Sequence, residues 1–245
     1  MYKVLAVAVS IALVPSLGLA QWAEIEVRDY KGNTSPAEKD EALRLKGVAK
    51  AGEADFNKYC AACHLPTGRG NLDGSIPQLA GQHPAVLTKQ LADIRSGLRY
   101  NPTMYPFARE LAGPQAVANV AAYVATLCIP LDSGKYQGPD AAKQVADGKA
   151  LYEKECAQCH QMNGEGNSGK AYPVLAGQHY RYLLRQMTDI RDRKRLNAPP
   201  EMLEVIGKYS DTQLVAIAAY QATLATPSTM LMRSGKMCKT NPSRL

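Results

Sequence analysis

The chain is poor in aromatic volume: of 245 residues only two are Phe and one is Trp, and 7% are aromatic in all. That shortage excludes interiors filled by stacked rings of the chain's own, and it leaves apolar bulk to be supplied from outside the polypeptide. Long hydrophobic runs are missing as well. The longest, Val4–Val14, follows the single charge of the first twenty residues, Lys3, and is broken by Pro15 and Ser16. A retained membrane helix needs about twenty apolar residues. With Gly18-Leu19-Ala20 ahead of Gln21, residues 1–20 have instead the layout of a cleaved secretory signal peptide. A dominant charge sign is also lacking. The formal net charge of +7 falls to +6 once Lys3 leaves with the leader, a surplus that does not indicate a nucleic-acid partner. It allows salt-sensitive docking on an acidic patch of a protein partner. No alternation of apolar and polar residues competes with helical patterns beyond a weak strand-like stretch at 24–30, so an all-α fold is expected.

What the chain does have is a repeat. From Ala51 it copies itself at an offset of 96 residues. Gly52, Ala54 and Lys58 match Gly148, Ala150 and Lys154; Gly68, Gly70 and Asn71 match Gly164, Gly166 and Asn167. Pro77 matches Pro173, and Leu79-Ala80-Gly81-Gln82-His83 returns as Leu175-Ala176-Gly177-Gln178-His179. Gln90, Asp93-Ile94-Arg95 and Asn101 match Gln186, Asp189-Ile190-Arg191 and Asn197. A unit of that length is a globular domain rather than a solenoid repeat. The chain divides into an N-terminal extension (21–47), domain 1 (48–128), a Gly- and Pro-containing linker (129–140), domain 2 (141–225) and a basic, Met-rich tail (226–245). The linker is short, so the domains are expected to pack together.

Each domain repeats one plan. A helix over 48–63 or 141–159 is followed by a Gly-rich loop, then a helix over 84–96 or 180–193. A Pro-containing loop and short helical pieces lead to a last helix, 114–127 or 211–224. In the extension, Ser35-Pro36-Ala37-Glu38 reads as a capping box with Pro at the first helical position, opening a charged helix to about Lys46. The expectation for this segment is a solvated extension, or alternatively a docking arm anchored by Trp22 and Tyr30.

The chemistry lies in Cys60-Ala61-Ala62-Cys63-His64 and Cys156-Ala157-Gln158-Cys159-His160. Cys-x-x-Cys-His is the c-type haem attachment pattern. Two thiols on one helical turn meet the two vinyl groups, and the next histidine sits beneath the iron. One Cys-x-x-Cys also serves zinc or thiol redox chemistry; two in repeated surroundings point to two covalently bound haem c groups. These supply the missing apolar bulk, and haem c is attached outside the bacterial inner membrane, so the motifs and a periplasmic address agree. The expected iron ligands are His64 and Met104 in domain 1 and His160 and Met202 in domain 2. Met104 lies forty residues past His64, and Met202 forty-two past His160; a matched Asn precedes each. The alternative for a methionine is gap-filling in the core. His83 and His179, nineteen residues past the haem histidines, are rival ligands but suit capping or surface positions better. Pro77 and Pro173 are placed to accept a hydrogen bond from the histidine Nδ1–H. Arg95 and Arg191 can pair with haem propionates or lie on solvated helix faces. Cys128 and Cys238 are expected to form a disulfide in an oxidising compartment, with a thiolate ligand to haem as the rival role.

The two haem motifs, the Pro-x-Leu-Ala-Gly-Gln segments at 77–82 and 173–178 and the downstream methionines resemble the di-haem cytochrome c4 family of class I cytochromes c. That resemblance, over about 48–225, implies two cytochrome c folds related by pseudo-twofold symmetry, with His/Met haems facing each other. It also implies a periplasmic electron carrier serving donors such as a cytochrome complex or dehydrogenase and acceptors such as a terminal oxidase, with peripheral contact to membrane complexes. The rivals are the haem-bearing subunit of a periplasmic dehydrogenase, such as a flavoprotein sulfide dehydrogenase, and a di-haem enzyme such as a thiosulfate dehydrogenase or peroxidase. The extension, the tail and the extra cysteine pair depart from the family pattern and bear on the partner rather than the fold.

Overall fold

The computed structural model describes residues 36–226. Among these the regular structure is helical, and Asn167 and Tyr172 form an isolated bridge. The expected leader, Trp22, Tyr30, Ser35 and the tail beyond 226 lie outside the described residues. None of the described helices is long and apolar enough to cross a membrane.

The elements run as α1 (Pro36–Arg44), α2 (Ala49–Tyr59), α3 (Ala61–His64), α4 (Pro84–Arg95), α5 (Tyr105–Arg109) and α6 (Pro114–Thr126). After the linker come α7 (Ala141–Leu151), a π-helical turn (Tyr152–Cys156), α8 (Ala157–His160), α9 (Tyr180–Arg191), α10 (Pro200–Gly207) and α11 (Asp211–Gln221). Proline at the first turn of α4, α5, α6 and α10 sits where its missing N–H costs nothing. Ser210 and Gln213 form a reciprocal capping box on α11.

In each domain the first and last helices cross, α2 on α6 and α7 on α11, with α4 and α9 completing the two cores. The crossings are close because glycine lies in them. A Cβ on Gly52 would stand 1.9 Å from the Asn119 carbonyl oxygen, and one on Gly148 1.9 Å from that of Ala216. Either Gly→Ala change therefore forces the helices apart. We expect a loss of about 3 kcal/mol for each, read as a lowered guanidinium midpoint of the haem-loaded protein.

α1 departs from the expectation of a solvated extension. It packs on α4 and α6, and Ala42, 2% exposed, belongs to the domain 1 core. One small residue in a charged helix leaves no apolar stripe to read in the sequence.

The two domains meet through the repeated Leu-Ala-Gly-Gln-His segments. The Gln178 side chain accepts from the Gln78 N–H at 3.0 Å and donates to the Gln78 carbonyl at 2.8 Å. Gln82 does the same to Val174, at 2.9 and 3.0 Å. His83 Nε2 lies 2.8 Å from the Glu165 carbonyl oxygen, and His179 Nε2 lies 2.8 Å from that of Arg69. Each bond has a mate 96 residues away, so the junction is a pseudo-twofold pairing. Ile129, fully buried, fills the space between the two glycine turns: a Cβ would meet it at 2.7 Å from Gly81 and 2.3 Å from Gly177. His83 and His179 do occupy the N-cap positions of α4 and α9, without capping side-chain bonds, but they are buried at the domain junction rather than on the surface.

Candidate haem sites

Each haem motif is held on a short helix, α3 or α8, whose first cysteine is its N-cap residue. Directly after the histidine the chain enters a left-handed conformation at Leu65 (φ 63°) and Gln161 (φ 66°). A side chain there costs of order 1–3 kcal/mol and persists only where the surroundings enforce it. The turn brings the Gly70 N–H onto the His64 carbonyl at 3.0 Å and the Gly166 N–H onto that of His160 at 2.9 Å. The same strained reversal at both motifs fixes where each imidazole points.

His64 is 3% exposed, and its Nδ1 lies 3.0 Å from the Pro77 carbonyl oxygen. His160 is 6% exposed, with Nδ1 3.1 Å from that of Pro173. A carbonyl accepts only, so Nδ1 carries the proton and Nε2 keeps a lone pair. His64 Nε2 is buried and has no hydrogen-bond partner, the condition of a donor atom kept for a ligand. Burial holds both imidazole pKa values below the usual range, with the proline bond opposing it. Burial also pushes the Cys60 thiol up to about 11 and that of Cys156 to about 12. Thiols so placed stay protonated at neutral pH and are poor centres for thiolate redox chemistry. Zinc needs further donors, and among the described residues no group of three or more His, Cys, Asp or Glu side chains comes together to hold a metal.

A cavity of about 450 Å³ opens from the first motif and is lined by Cys60, Cys63, His64 and Met104. Its walls include Phe56, Leu87, Leu91, Ile94 and Val120. A covalently held haem fits this site, given two thiols, an orphaned imidazole nitrogen, a thioether and an apolar slot in one cavity. Met104 is the N-cap residue of α5, and the Asn101 side chain accepts its N–H at 3.1 Å. In domain 2, Met202 lies within α10, half-buried against that domain's core. Phe56 and Ile76 of the first site have Tyr152 and Tyr172 as their repeat mates; the Tyr152 hydroxyl donates to the Gln161 carbonyl at 2.7 Å, and the Tyr172 ring faces His160 with centroids 6.4 Å apart.

The arginines are where the expectation fails. Arg95 bonds Glu38 of α1 at 2.6 Å and the Ala108 and Leu111 carbonyls. Arg191 bonds Asp192 and Asp211 at 2.8 and 2.6 Å and the Tyr209 carbonyl. Both guanidiniums are engaged in helix packing and termini, because those helix faces turn toward neighbouring protein. Arg99 and its repeat mate Arg195 reach the cavity instead, with Arg185 and Lys194 also in its lining. Arg99 donates to Gln90, Tyr182 and Gln186, and Arg195 to Gln186, Gln90 and Asn197. Burial, with Arg99 beside it, pushes Arg195 down to about 10. Two half-buried guanidiniums bridged by neutral amides suit anions such as haem propionates. Their 96-residue register was available in the sequence; that they face the cavity was not.

Cys128 is buried and disulfide-bonded; its expected partner, Cys238, lies outside the described residues.

The family model described as Cytochrome c matches residues 145–225, and that described as Cytochrome C oxidase, cbb3-type, subunit III matches residues 47–124. The chain is 32% identical over 192 residues to cytochrome c4 of Azotobacter vinelandii, covering 71% of this chain and 88% of that one. It is 35% identical over 177 residues to a thiosulfate dehydrogenase electron acceptor of Stutzerimonas stutzeri (strain A1501), covering 69% and 81%. Reduced recombinant cytochrome c4 from Pseudomonas stutzeri superposes with a TM-score of 0.63 at 31% identity, covering 73% of this chain and 100% of that one. The proline-tethered histidines, duplicated motifs and these relatives agree: the chain belongs to the di-haem cytochrome c4 family, electron-transfer cytochromes of two class I domains carrying two covalently bound haem c groups.

Proposed function

We propose that this protein is a periplasmic electron carrier without substrate chemistry of its own. It takes electrons from a donor cytochrome complex or dehydrogenase and delivers them to an acceptor such as a terminal oxidase. Cys60 and Cys63 hold one haem by thioethers, and Cys156 and Cys159 the other. His64 and Met104 ligate the first iron, His160 and Met202 the second. When bound, each haem supplies one-electron ferric/ferrous chemistry. Pro77 and Pro173 fix the histidine rings and strengthen them as donors, while Arg99 and Arg195 balance the propionates. The observation that carries the reading is the pair of buried, proline-tethered imidazoles, one sharing its cavity with a methionine. A methionine thioether as second ligand would leave the iron closed to substrates.

A second reading, the haem subunit of a periplasmic dehydrogenase, is favoured by the thiosulfate dehydrogenase electron acceptor among the relatives. Pull-down of the haem-loaded protein against its own periplasmic and membrane fractions tests both. An oxidase or cytochrome complex is the expected capture, whereas a stoichiometric dehydrogenase subunit replaces the first reading by the second.

A further inference from the structure

The polar junction beside the first haem site is asymmetric, and the asymmetry traces to α1. Asp93, 1% exposed, accepts from Lys39 of α1 at 3.1 Å, from Lys89 at 2.6 Å and from Asn197 Nδ2 of domain 2 at 2.8 Å. Asn197 in turn accepts from Arg195 Nε at 3.0 Å and, with Arg195 and Arg99, donates to Gln90 Oε1 at 3.0 Å. A continuous chain of hydrogen bonds thus runs from α1 to the guanidinium pair lining the cavity of Cys60, His64 and Met104.

The repeat mates of these residues are used otherwise. Asn101 caps the turn at Met104 rather than crossing the junction. Arg185, mate of Lys89, bonds the Ser75 carbonyl and lies over the Tyr182 ring. Lys39 lies ahead of the repeat, which begins at Ala51, and the lysine at the same offset, Lys135, donates to Ser133 and the Ala222 carbonyl instead.

Burial opposes the charge on Asp93, yet the bonds from Lys89, Asn197 and Lys39 outweigh it and hold the carboxyl below its usual range. Lys89 alone is a compromised partner, since burial lowers its own pKa. A buried carboxylate with too little compensation would draw the arginines toward itself, or add a negative charge beside the site.

We propose that Lys39 is a positioning residue for electron transfer: it neutralises Asp93 from α1, so that Asn197 and Gln90 hold Arg195 and Arg99 against the first haem site and keep that site's reduced state favoured. This rests on the reading that the cavity holds a haem ligated by His64.

The test is a spectroscopic redox titration of the full-length, haem-loaded protein and its Lys39→Met, Lys39→Arg and Glu38→Gln variants. The midpoint of the first site is identified as the one that Met104→His moves. Lys39→Met is expected to lower that midpoint and leave the other in place, because removing a positive charge disfavours the added electron. Lys39→Arg restores it. Glu38→Gln loosens α1 at its Arg95 anchor, and is expected to lower thermal stability without lowering either midpoint, since it removes a negative charge. Two covalent haems with both midpoints unmoved in Lys39→Met, or moved equally, overturn the proposal. A purified chain lacking covalent haem in the pyridine haemochrome assay overturns instead the reading beneath it.

Discussion

Replacing Gln82 and Gln178 together by alanine is expected to uncouple the two domains. Each side chain completes a two-bond pairing with a backbone segment of the other domain, Val174 for Gln82 and Gln78 for Gln178. Truncation leaves the N–H and carbonyl of both residues without those partners at a buried junction. At about 1–3 kcal/mol for each orphaned group, the four together cost at least about 4 kcal/mol while the interface stays closed. Opening the interface lets water satisfy them, so the penalty is expressed as separation rather than as strain within either fold. In guanidinium, monitored at the haem bands, the parent protein is expected to unfold in one transition and the double variant in two. The single variants should each lose about half as much, since the two pairings are separate contacts related by the pseudo-twofold axis. A single unshifted transition in the double variant would show that Ile129 and the histidine contacts suffice.

Much of this architecture is legible in the sequence because duplication writes the same constraints twice. The haem motifs, the proline thirteen residues beyond each histidine and the helix starts at Pro84 and Pro114 were all readable from spacing; the structure has the proline carbonyls against the imidazoles and the helices where the prolines predict them. What duplication does not reveal is which surfaces of the two copies meet. The Leu-Ala-Gly-Gln-His repeat reads as a helix entry, and its glutamines and histidines cap nothing; their partners are a domain away. The same blindness misdirects the arginines. Arg95 and Arg99 lie only four residues apart, but α4 ends at Arg95 and the chain turns at Gly97 (φ 82°), so the first meets Glu38 of α1 while the second reaches the cavity. α1 itself is nearly silent, since a buried Ala42 and a lysine aimed at a buried carboxylate look like an ordinary solvated helix. Long-range pairing of polar groups carries no periodic signal, and the expectations made from periodicity fail at that point.

The leucine variants of the two methionines carry the largest functional effect. Leucine keeps the volume and apolar character of methionine and removes only the sulfur, a change that cores tolerate at under about 1.5 kcal/mol. At Met104 the backbone is held independently of the side chain, through the Asn101 bond to its N–H, so the loop is expected to stay in place. Met104→Leu should then lower one midpoint, remove about half of the weak sulfur-to-ferric-iron absorption and open that iron to carbon monoxide in the reduced state. Met202→Leu should do the same to the other site, with a larger loss of stability, because Met202 packs within α10 against the second core rather than on a capped turn. The double variant should lose the whole band and bind carbon monoxide at both irons. These outcomes separate a carrier from an enzyme on physical grounds: two thioether-closed irons leave no coordination site for a substrate, and a thiolate-ligated or open iron gives no sulfur band to lose at its site. Retention of the full band in either single variant would mean that the sulfur at that iron comes from elsewhere in the chain and that the replaced methionine does not close it.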